Sequence, residues 1–505
     1  MKRRDFLKAM GLGAAVLAAP GCNQTVTQHK SKRGRYPNIV FIMADDMGYG
    51  DVSCYNPASM IPTPNMDRLA AQGIRFTDAH SPSAVCTPTR YGVLTGRYCW
   101  RTRLKRSVLN GFAQPLVSQN QMTVAELLKS RGYRTACIGK WHLGVGWQSK
   151  DGRCIEGGRD AERVDFTKPL TDGPNEHGFD YSFITAACST VDSPYVFIEN
   201  GKCTVLPSDR MKRRESVATY GSRPGPMAPG WSNEDVDPTY VGKTEEFVKR
   251  HLGNYKKDVP FFIYLPLSAP HAPWLPPDFV KGKSQTGPRG DLVVLVDWCV
   301  GKVMEMLERH QLSGDTLLIA TSDNGPRIGK KGHKSSGPYR GHKSHIWEGG
   351  HRVSFIARWP DRIRPDTTSD ELICLTDLMA TCAAVTGAEL PENSAQDSYN
   401  ILPALLGKKL YEPIRDAIVH HSVKGVFAIR QGRWKLILDT KTSGGWVDPR
   451  GKGPEPGTPG QLYDMLDDPY EQNDLWEERP EIVLRLTSLL EKYKKQGYSR
   501  PLKGV

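Results

Sequence analysis

The sequence predicts an α/β fold in which a large, mostly parallel sheet lies between layers of helices, followed by a smaller C-terminal antiparallel sheet with one helix. Three observations support this fold class. Short continuous apolar runs are typical of strands that are buried on both faces of a sheet. These runs alternate with longer amphipathic segments, as parallel α/β sheets require. After Leu410 the pattern changes to short strand-like segments and a final helical segment, which indicates a separate antiparallel unit.

The predicted elements follow one another in this order along the chain. In the larger part, strands are predicted at 38–43, 134–138, 260–267 and 316–325, and helices at 123–133 and 292–310. The first helix carries Thr123 and Glu126 at capping-box spacing and ends near Gly132. In the smaller part, strands are predicted at 427–439 and 460–465, a Gly/Pro-rich loop at 440–459 and a helix at 480–496.

The first 22 residues have the features of a targeting segment, with a basic front, an apolar stretch and small residues before Cys22. Arg3 and Arg4, followed by Asp-Phe-Leu-Lys, resemble a bacterial twin-arginine signal. The Ala-Pro-Gly-Cys end resembles an imperfect lipoprotein cleavage box. Two alternatives stay open: Cys22 carries a lipid, or this cysteine is incidental in a soluble export signal. We therefore predict a bacterial protein that uses an export machinery, is periplasmic or at the outer surface, and meets a membrane only through a lipid on Cys22.

The organisation predicted from these segments is an export signal at 1–22, a linker at 23–36, a large domain at 37–410 and a smaller subdomain at 411–505. The chain has 505 residues, of which 38% are hydrophobic and 24% charged, the composition of a globular protein. Beyond Cys22 there are ten scattered cysteines, which do not resemble a small disulfide-stapled scaffold. Cys188 and Cys203 flank a hairpin-like segment, and a disulfide between them is one option.

The net charge of +13 favours anionic partners through long-range attraction. The first 22 residues contribute +3 of this charge, so about +10 remains after them. No basic run is interleaved with aromatic residues in the way that nucleic-acid-binding motifs are. We therefore expect an anionic small substrate or a polyanionic glycan rather than nucleic acid.

Acidic and amide side chains follow two of the predicted strands. Asp45 and Asp46 come after the strand at 38–43, and Asp323 and Asn324 end the strand that begins at Thr316. Ligands of open parallel sheets lie at the carboxyl ends of the strands, where these side chains would meet. A single Asp-Asp pair is more often a turn or a cap. Two such groups from distant parts of the chain favour a divalent cation, Ca²⁺ or Mg²⁺.

Basic side chains follow other predicted strands. Lys140 and His142 come after the strand at 134–138, His271 follows the strand at 260–267, and Arg340 and Lys343 lie in a Gly-rich segment further on. A lone histidine is usually structural and a lone lysine is usually a solvated charge. Together, beside a divalent cation, these residues suit a tetrahedral oxyanion, either sulfate or phosphate.

Two motifs make a family resemblance specific. Cys86-x-Pro88-x-Arg90, followed by Leu-Thr-Gly-Arg at 94–97, and the segment GYRTACIGKWHLG at 132–144 match the two signatures of type I sulfatases. The sequence resembles this family, close to the arylsulfatase A and N-acetylgalactosamine-6-sulfatase group of the alkaline phosphatase superfamily, over roughly residues 37–475. The resemblance implies a sulfuric ester hydrolase with its catalytic domain at 37–410.

The resemblance also implies a role for the motif cysteine. In this family a maturation enzyme reads the proline and arginine of the motif, here Pro88 and Arg90, and oxidises the cysteine, here Cys86, to Cα-formylglycine. One hydroxyl of the hydrated aldehyde attacks sulfur and the second releases sulfate, which divides one difficult reaction into two steps. Arg90 matches the arginine that holds the hydrate.

The remaining roles are also carried over from the family, one position at a time. The cation, Ca²⁺ with Mg²⁺ as the alternative, is expected on Asp45, Asp46, Asp323, Asn324 and the group derived from Cys86. Lys140 and Lys343 match lysines that bind sulfate. His271 matches a substrate-binding histidine near the leaving oxygen, and His142 matches a histidine near the formylglycine. His342 departs from the family because glycine is common there, and it could alter the mouth of the pocket.

The predicted substrate is a sulfated carbohydrate, for which an aryl sulfate would serve as a surrogate. Two alternatives stay open: a phosphonate monoester or phosphodiester hydrolase of the same superfamily, and a lipoprotein that binds sulfated glycan without turnover. Four aromatic residues could either stack on sugar rings or pack in the fold: Tyr195, Trp231, Trp274 and Trp446.

Overall fold

The computed structural model describes residues 36–212, 221–255, 257–330, 332–438, 441–446 and 459–501. The predicted export signal with Cys22, residues 23–35 of the predicted linker and most of the loop at 440–459 lie outside the described residues. Residues 35–505 belong to one compact unit. The boundaries proposed at residues 22, 36 and 410 stay predictions.

The described strands and helices alternate over most of the chain. The strands are β1 (Asn38–Ala44), β2 (Ile74–Phe76), β3 (Ala79–His80), β4 (Arg134–Lys140), β5 (Tyr181–Thr185), β6 (Ile198–Glu199), β7 (Lys202–Cys203), β8 (Asp209–Met211), β9 (Gly225–Met227), β10 (Phe261–Pro266), β11 (Thr316–Ser322), β12 (Phe355–Arg358), β13 (Thr367–Ser369), β14 (Ile373–Cys374), β15 (Ile418–His421), β16 (Phe427–Gln431), β17 (Trp434–Ile437) and β18 (Gln461–Asp464). The α-helices are α1 (Pro64–Ala71), α2 (Cys86–Thr95), α3 (Val124–Ser130), α4 (Val236–Tyr255), α5 (Pro288–Arg309), α6 (Glu348–His351), α7 (Leu378–Thr386), α8 (Leu402–Leu405) and α9 (Pro480–Gln496).

The central sheet has ten strands in the order β13-β2-β12-β11-β1-β10-β4-β5-β6-β7. The five middle strands, from β11 to β5, all pair in parallel. β12 adds to one side and β6 and β7 to the other in antiparallel orientation. The predicted α/β class with a large, mostly parallel sheet is therefore confirmed.

Strand β1 is buried on both faces, as its continuous apolar run predicts. Ile39 and Phe41 belong to an apolar cluster with residues of α2, α3 and α7. Val40 and Ile42 belong to a second cluster with residues of α1, α4 and α5. Because side chains alternate along a strand, one strand contributes to both helical layers.

The smaller sheet has the order β15-β16-β17-β18 with antiparallel pairing throughout. Helix α9 places Leu486 and Leu490 in one apolar cluster with Ile429 and Leu436 of this sheet. The single strand predicted at 427–439 is wrong, since this segment is the hairpin β16–β17. Gly432 makes the turn with φ of 55°, a left-handed conformation that glycine adopts without strain.

The disulfide considered between Cys188 and Cys203 is also absent, because both are free thiols. Cys203 lies on β7, where it pairs with Ile198. Cys188 lies instead beyond the carboxyl end of β5, beside the basic residues described below. None of the helices that the structure describes has both the length and the hydropathy needed to cross a membrane.

Candidate active site

Polar side chains converge where four neighbouring strands of the central sheet end. The strands lie in the order β11, β1, β10 and β4. The side chains that follow or end them are Asp323 and Asn324 after β11, Asp45 and Asp46 after β1, His271 after β10, and Lys140 at the end of β4. The carboxyl ends of parallel strands thus bring together residues that lie far apart in the sequence.

Helix α2 brings the motif cysteine to the same edge. Cys86 is the first residue of the helix and is 2% exposed. One turn later, the buried Arg90 donates to Asp323 Oδ2 at 2.7 Å and to the carbonyl of Lys140 at 2.9 Å. Gly96 ends the helix with φ of 62°. Arg90 therefore fixes the start of α2 against the ends of β11 and β4.

The carboxylate and amide oxygens fit a divalent cation. Ligand atoms of Asp45, Cys86 and Asp323 lie within 4.8 Å of one another. Asp45 Oδ1 and Asn324 Oδ1 are buried and have no hydrogen-bond partner in the described residues. Burial, and next the charge of Asp45, raises the pKa of Asp323 well above its ordinary value. Buried acceptors without donors are costly, and hard oxygen ligands of this kind suit Ca²⁺ or Mg²⁺.

Two buried lysines face this group from different directions. Lys140 Nζ donates to Asp45 Oδ2 and, at 3.1 Å, to Cys188 Sγ. Lys343 Nζ lies 2.6 Å from Asp46 Oδ1. Burial alone would lower the pKa of Lys140, but the charge of Asp45 outweighs it and holds the pKa well above its ordinary value. The two ammonium groups are therefore charged and suited to an oxyanion.

His142 presents a lone pair to the same centre. Its Nε2 lies 2.8 Å from the carbonyl of Leu109. Because a carbonyl only accepts, Nε2 carries the proton and Nδ1 of the neutral ring is an acceptor. This Nδ1 is buried without a hydrogen-bond partner in the described residues. Ligand atoms of Cys86, His142 and Cys188 lie within 4.8 Å of one another, so His142 can take a proton from a group at Cys86.

His271 lies in the part of the site that solvent reaches, and its side chain is 11% exposed. Its Nδ1 lies 2.7 Å from the carbonyl of Ala272, to which it donates. Its Nε2 lies 3.7 Å from Asp46 Oδ2 and from Cys188 Sγ. Burial, and next the charge of Lys343, lowers the pKa of His271. Its Nε2 edge can therefore meet a group that enters from outside.

Left-handed backbone occurs at three non-glycine residues in or beside this site. Asp46 has φ of 71°, His142 has φ of 58° and Ser344, next to Lys343, has φ of 78°. Such conformations cost roughly 1–3 kcal/mol each and persist where the surrounding structure holds them.

Sequence reasoning missed Cys188 as a member of this group. Burial alone would raise the pKa of Cys86. The hydrogen bond from Cys188 and next the charge of Lys140 outweigh burial and hold this pKa well below its ordinary value. Cys188 follows β5, a five-residue strand that was not predicted. Had β5 been identified, the strand-end argument would have pointed to Cys188.

The structure does not bring Arg340 to this group, contrary to the anion pocket predicted from the sequence. Its guanidinium donates to the Tyr463 hydroxyl at 3.0 Å and to the Glu471 carbonyl at 2.8 Å. It also lies 3.8 Å from the ring centroid of Trp347. Arg340 therefore joins the segment before α6 to the region of the smaller sheet.

Comparison with known proteins gives the family. Residues 37–388 match the sulfatase family, and residues 341–496 match the C-terminal family of N-sulphoglucosamine sulphohydrolase. The chain is 35% identical to an N-acetylgalactosamine-6-O-sulfatase of Bacteroides thetaiotaomicron, over 98% of this chain and 100% of the relative. It is 34% identical to human arylsulfatase A, over 87% of this chain and 83% of the relative.

Solved structures agree with this assignment. One solved structure is described under the metabolism of multiple glycosaminoglycans by Bacteroides thetaiotaomicron. It has a TM-score of 0.78 and 33% identity to this chain, and the match covers 91% of this chain and 99% of the other. A phosphonate monoester hydrolase of Agrobacterium radiobacter has a TM-score of 0.58 and 17% identity, covering 91% and 96%, and shares the fold. The chain is therefore a member of the sulfatase family of sulfuric ester hydrolases, as the two sequence signatures indicate.

Proposed function

We propose that this protein hydrolyses sulfate esters of a sulfated carbohydrate at the carboxyl edge of the central sheet, through a formylglycine made from Cys86 and a divalent cation. One observation carries the proposal. Buried lysines, buried carboxylates and the motif cysteine converge on one centre, and His271 faces the solvent beside them. A site with this balance of charges suits an oxyanion held against a cation.

The residues that would hold the cation are Asp45, Asp46, Asp323 and Asn324, together with the group derived from Cys86. We propose Ca²⁺, with Mg²⁺ as the alternative. The unpartnered oxygens of Asp45 and Asn324 support this assignment. When bound, the cation neutralises charge on a sulfate oxygen and on the attacking hydroxyl.

The group derived from Cys86 would supply the nucleophile: the hydrate of its aldehyde carries one hydroxyl that attacks sulfur and a second that later releases sulfate. Arg90 holds the start of α2, from which this group projects. His142 accepts the proton of the second hydroxyl at Nδ1, since its Nε2 is held by the Leu109 carbonyl. Formation of the aldehyde requires a maturation enzyme as a partner of the unmodified chain.

The chain's own charges would bind and orient the ester. Lys140 and Lys343 bind sulfate oxygens from two directions. His271, in its protonated form, gives a proton from Nε2 to the leaving alcohol oxygen, and its exposed edge allows that alcohol to be part of a larger molecule.

The substrate class follows from the relatives and from the charge of the chain. Relatives at 35% and 33% identity are named for N-acetylgalactosamine 6-O-sulfate and for glycosaminoglycan metabolism. A basic protein favours polyanionic substrates. We propose a sulfated glycan as the natural substrate and an aryl sulfate as a surrogate. Residues 1–22 are proposed to direct export to the bacterial periplasm or outer surface, with a lipid on Cys22 as one of the two alternatives.

The first test is the mass of the peptide that carries Cys86, purified from the native host. An aldehyde mass supports the proposed nucleophile, and an unmodified thiol in active protein overturns it. Turnover of matched sulfate and phosphate esters is measured on the same preparation. Sulfate release is expected to dominate. A phosphodiester preferred by several orders of magnitude would indicate the phosphonate or phosphodiester hydrolase, and saturable glycan binding without release would indicate a binding protein.

The Lys140→Ala variant tests the anion pocket. Loss of an ammonium that faces the developing charge is expected to lower turnover about a hundredfold or more. The matched control is Lys129→Ala, in which the lysine is 48% exposed and pairs with Asp180 on the surface. Near-normal turnover of Lys140→Ala would show that the sulfate lies elsewhere.

A further inference from the structure

Four aromatic residues were singled out from the sequence. Of these, Trp446 is the one that is open to solvent, with 40% of its surface exposed. Tyr195 is fully buried, and its hydroxyl donates to the carbonyl of Arg223 at 2.7 Å. Trp231 packs between Tyr195 and Phe197, so both act in the fold. Trp274 packs against one of the two apolar clusters of the central sheet.

The Trp446 indole borders the proposed sulfate site. Its ring centroid lies 5.9 Å from Lys343 Nζ, the ammonium that contacts Asp46. Its backbone N–H donates to Ser344 Oγ at 3.3 Å, which fixes the position of the residue beside that lysine. A group bound next to the sulfate on this side would therefore meet the indole.

A second cation lies against the same ring. The guanidinium carbon of the half-buried Arg327 is 5.2 Å from the Trp446 ring centroid. Burial and, to a smaller extent, the charge of Arg327 lower the pKa of His342, so that its ring is neutral. The His342 and His345 rings lie with their centroids 4.0 Å apart and their planes tilted by 38°. This side of the site thus combines an exposed indole with a half-buried guanidinium.

We propose that Trp446 and Arg327 form a subsite that binds the sugar next to the sulfated one, and that this neighbouring sugar carries an anionic group. The indole stacks on the pyranose ring, and the guanidinium binds a carboxylate or a sulfate of that sugar. The inference rests on the proposed function, because it takes the alcohol released by sulfate hydrolysis to be part of an acidic oligosaccharide. It assigns the preference for acidic glycans to two residues outside the reacting centre.

The test compares three disaccharides that share one sulfated N-acetylhexosamine. The neighbouring sugar is a uronate, its carboxyl-reduced neutral form, or that neutral form with a sulfate added. Their dissociation constants are measured by calorimetry on a Cys86→Ala chain, which cannot turn the ester over, and sulfate release is measured on the active protein. A preference for the uronate identifies a carboxylate as the anion, and a preference for the added sulfate identifies a sulfate.

In the Cys86→Ala chain, at least one acidic disaccharide is expected to bind at least tenfold more tightly than the neutral one. Adding Arg327→Gln should erase this preference, and adding Trp446→Ala should weaken binding of all three about tenfold, while Trp446→Phe retains most of the affinity. Arg153→Gln is the matched control for Arg327→Gln, and Tyr411→Ala is the matched control for Trp446→Ala; both control residues are exposed. An unchanged preference in the Arg327→Gln chain, or equal binding of the three by the parent, overturns the subsite. Absence of sulfate release from the chain with Cys86 intact, purified from the native host, instead overturns the proposed function, because binding is measured separately.

Discussion

Arg90 donates from Nη2 to Asp323 Oδ2 at 2.7 Å inside the protein, with both side chains fully buried. The arginine lies on the helix that begins at the motif cysteine, and the aspartate follows a central strand 233 positions later. Replacing one member of a buried pair leaves the other charge without its partner. The pair therefore matters for stability as well as for the shape of the site.

Arg90→Met is expected to lower the free energy of unfolding by about 3–5 kcal/mol, because the buried carboxyl groups of Asp323 and Asp45 lose the guanidinium that lies against both. Urea denaturation of the unmodified chain, with a chelator present so that no cation compensates, measures this loss. Arg153→Met, at an exposed position, should stay within about 0.5 kcal/mol of the parent. A loss below about 1 kcal/mol for Arg90→Met would contradict the structural role of the pair.

Asp323→Asn is expected to reduce metal affinity at least tenfold, since the amide keeps the shape of the side chain but removes its charge. Metal content after dialysis against limiting Ca²⁺ measures the effect. Asp278→Asn, at an exposed aspartate, is the matched control and should retain the parent's metal content. Full metal content and full activity in Asp323→Asn would remove this residue from the proposed ligand set.

His271→Gln is expected to slow hydrolysis by about 10²–10⁴-fold for esters of poorly acidic alcohols, because these leaving groups need a proton. The loss should be much smaller for a nitrophenyl sulfate, whose leaving oxygen departs as an anion. Turnover across aryl sulfates of graded phenol pKa measures the difference. An equal loss for all leaving groups would assign His271 to binding rather than to proton transfer.

His421 is expected to make the fold acid-sensitive. Burial lowers its pKa from 6.5 to about 4, and neither ring nitrogen has a hydrogen-bond partner in the described residues. Between pH 6.5 and 4 the unfolded chain therefore binds a proton that the folded chain does not. The unfolding free energy should fall by about 3 kcal/mol from this residue as the pH falls through that window.

The corresponding variant is His421→Leu, which replaces the titratable imidazole with an apolar side chain of similar size. Urea denaturation at several pH values should give a shallower fall in unfolding free energy than the parent shows between pH 6.5 and 4. The slope is compared rather than the absolute stability, so a small packing change does not obscure the result. An unchanged slope would show that other groups carry the acid sensitivity.

Much of the site could be predicted because strand ends are visible in the sequence. The continuous apolar run at 38–43 indicated β1, and Asp45 and Asp46 followed from it. The same argument reached Lys140 and Asp323. Hydrophobic burial on both faces makes such strands easy to recognise, and parallel pairing then fixes where their ends meet.

Other residues could not be found in this way. Lys343 lies on neither a strand nor a helix, so no strand end fixed its position; it was reached only as one of several basic residues and through the family resemblance. Cys188 was missed because β5 has five residues and follows no clear helix in the sequence. The segment 427–439 reads as one strand because its apolar pattern resumes directly after Gly432, the residue that makes the turn of the hairpin β16–β17. Tyr195 could not be assigned to packing without the tertiary contacts that bury it.

The long separation between Arg90 and Asp323 has a consequence for biosynthesis. A ribosome adds about 5–20 residues per second, so roughly 10 to 50 seconds pass between synthesis of Arg90 and of the aspartate that accepts its hydrogen bond. During that interval the site cannot be completed, because β11 and the Asp323 that follows it have not yet been synthesised. An enzyme that acts on Cys86 would find its target accessible in the nascent chain and sealed in the finished one. If Cys86 is modified as proposed, the time available for that reaction is therefore set by the order in which the strands of the central sheet are synthesised.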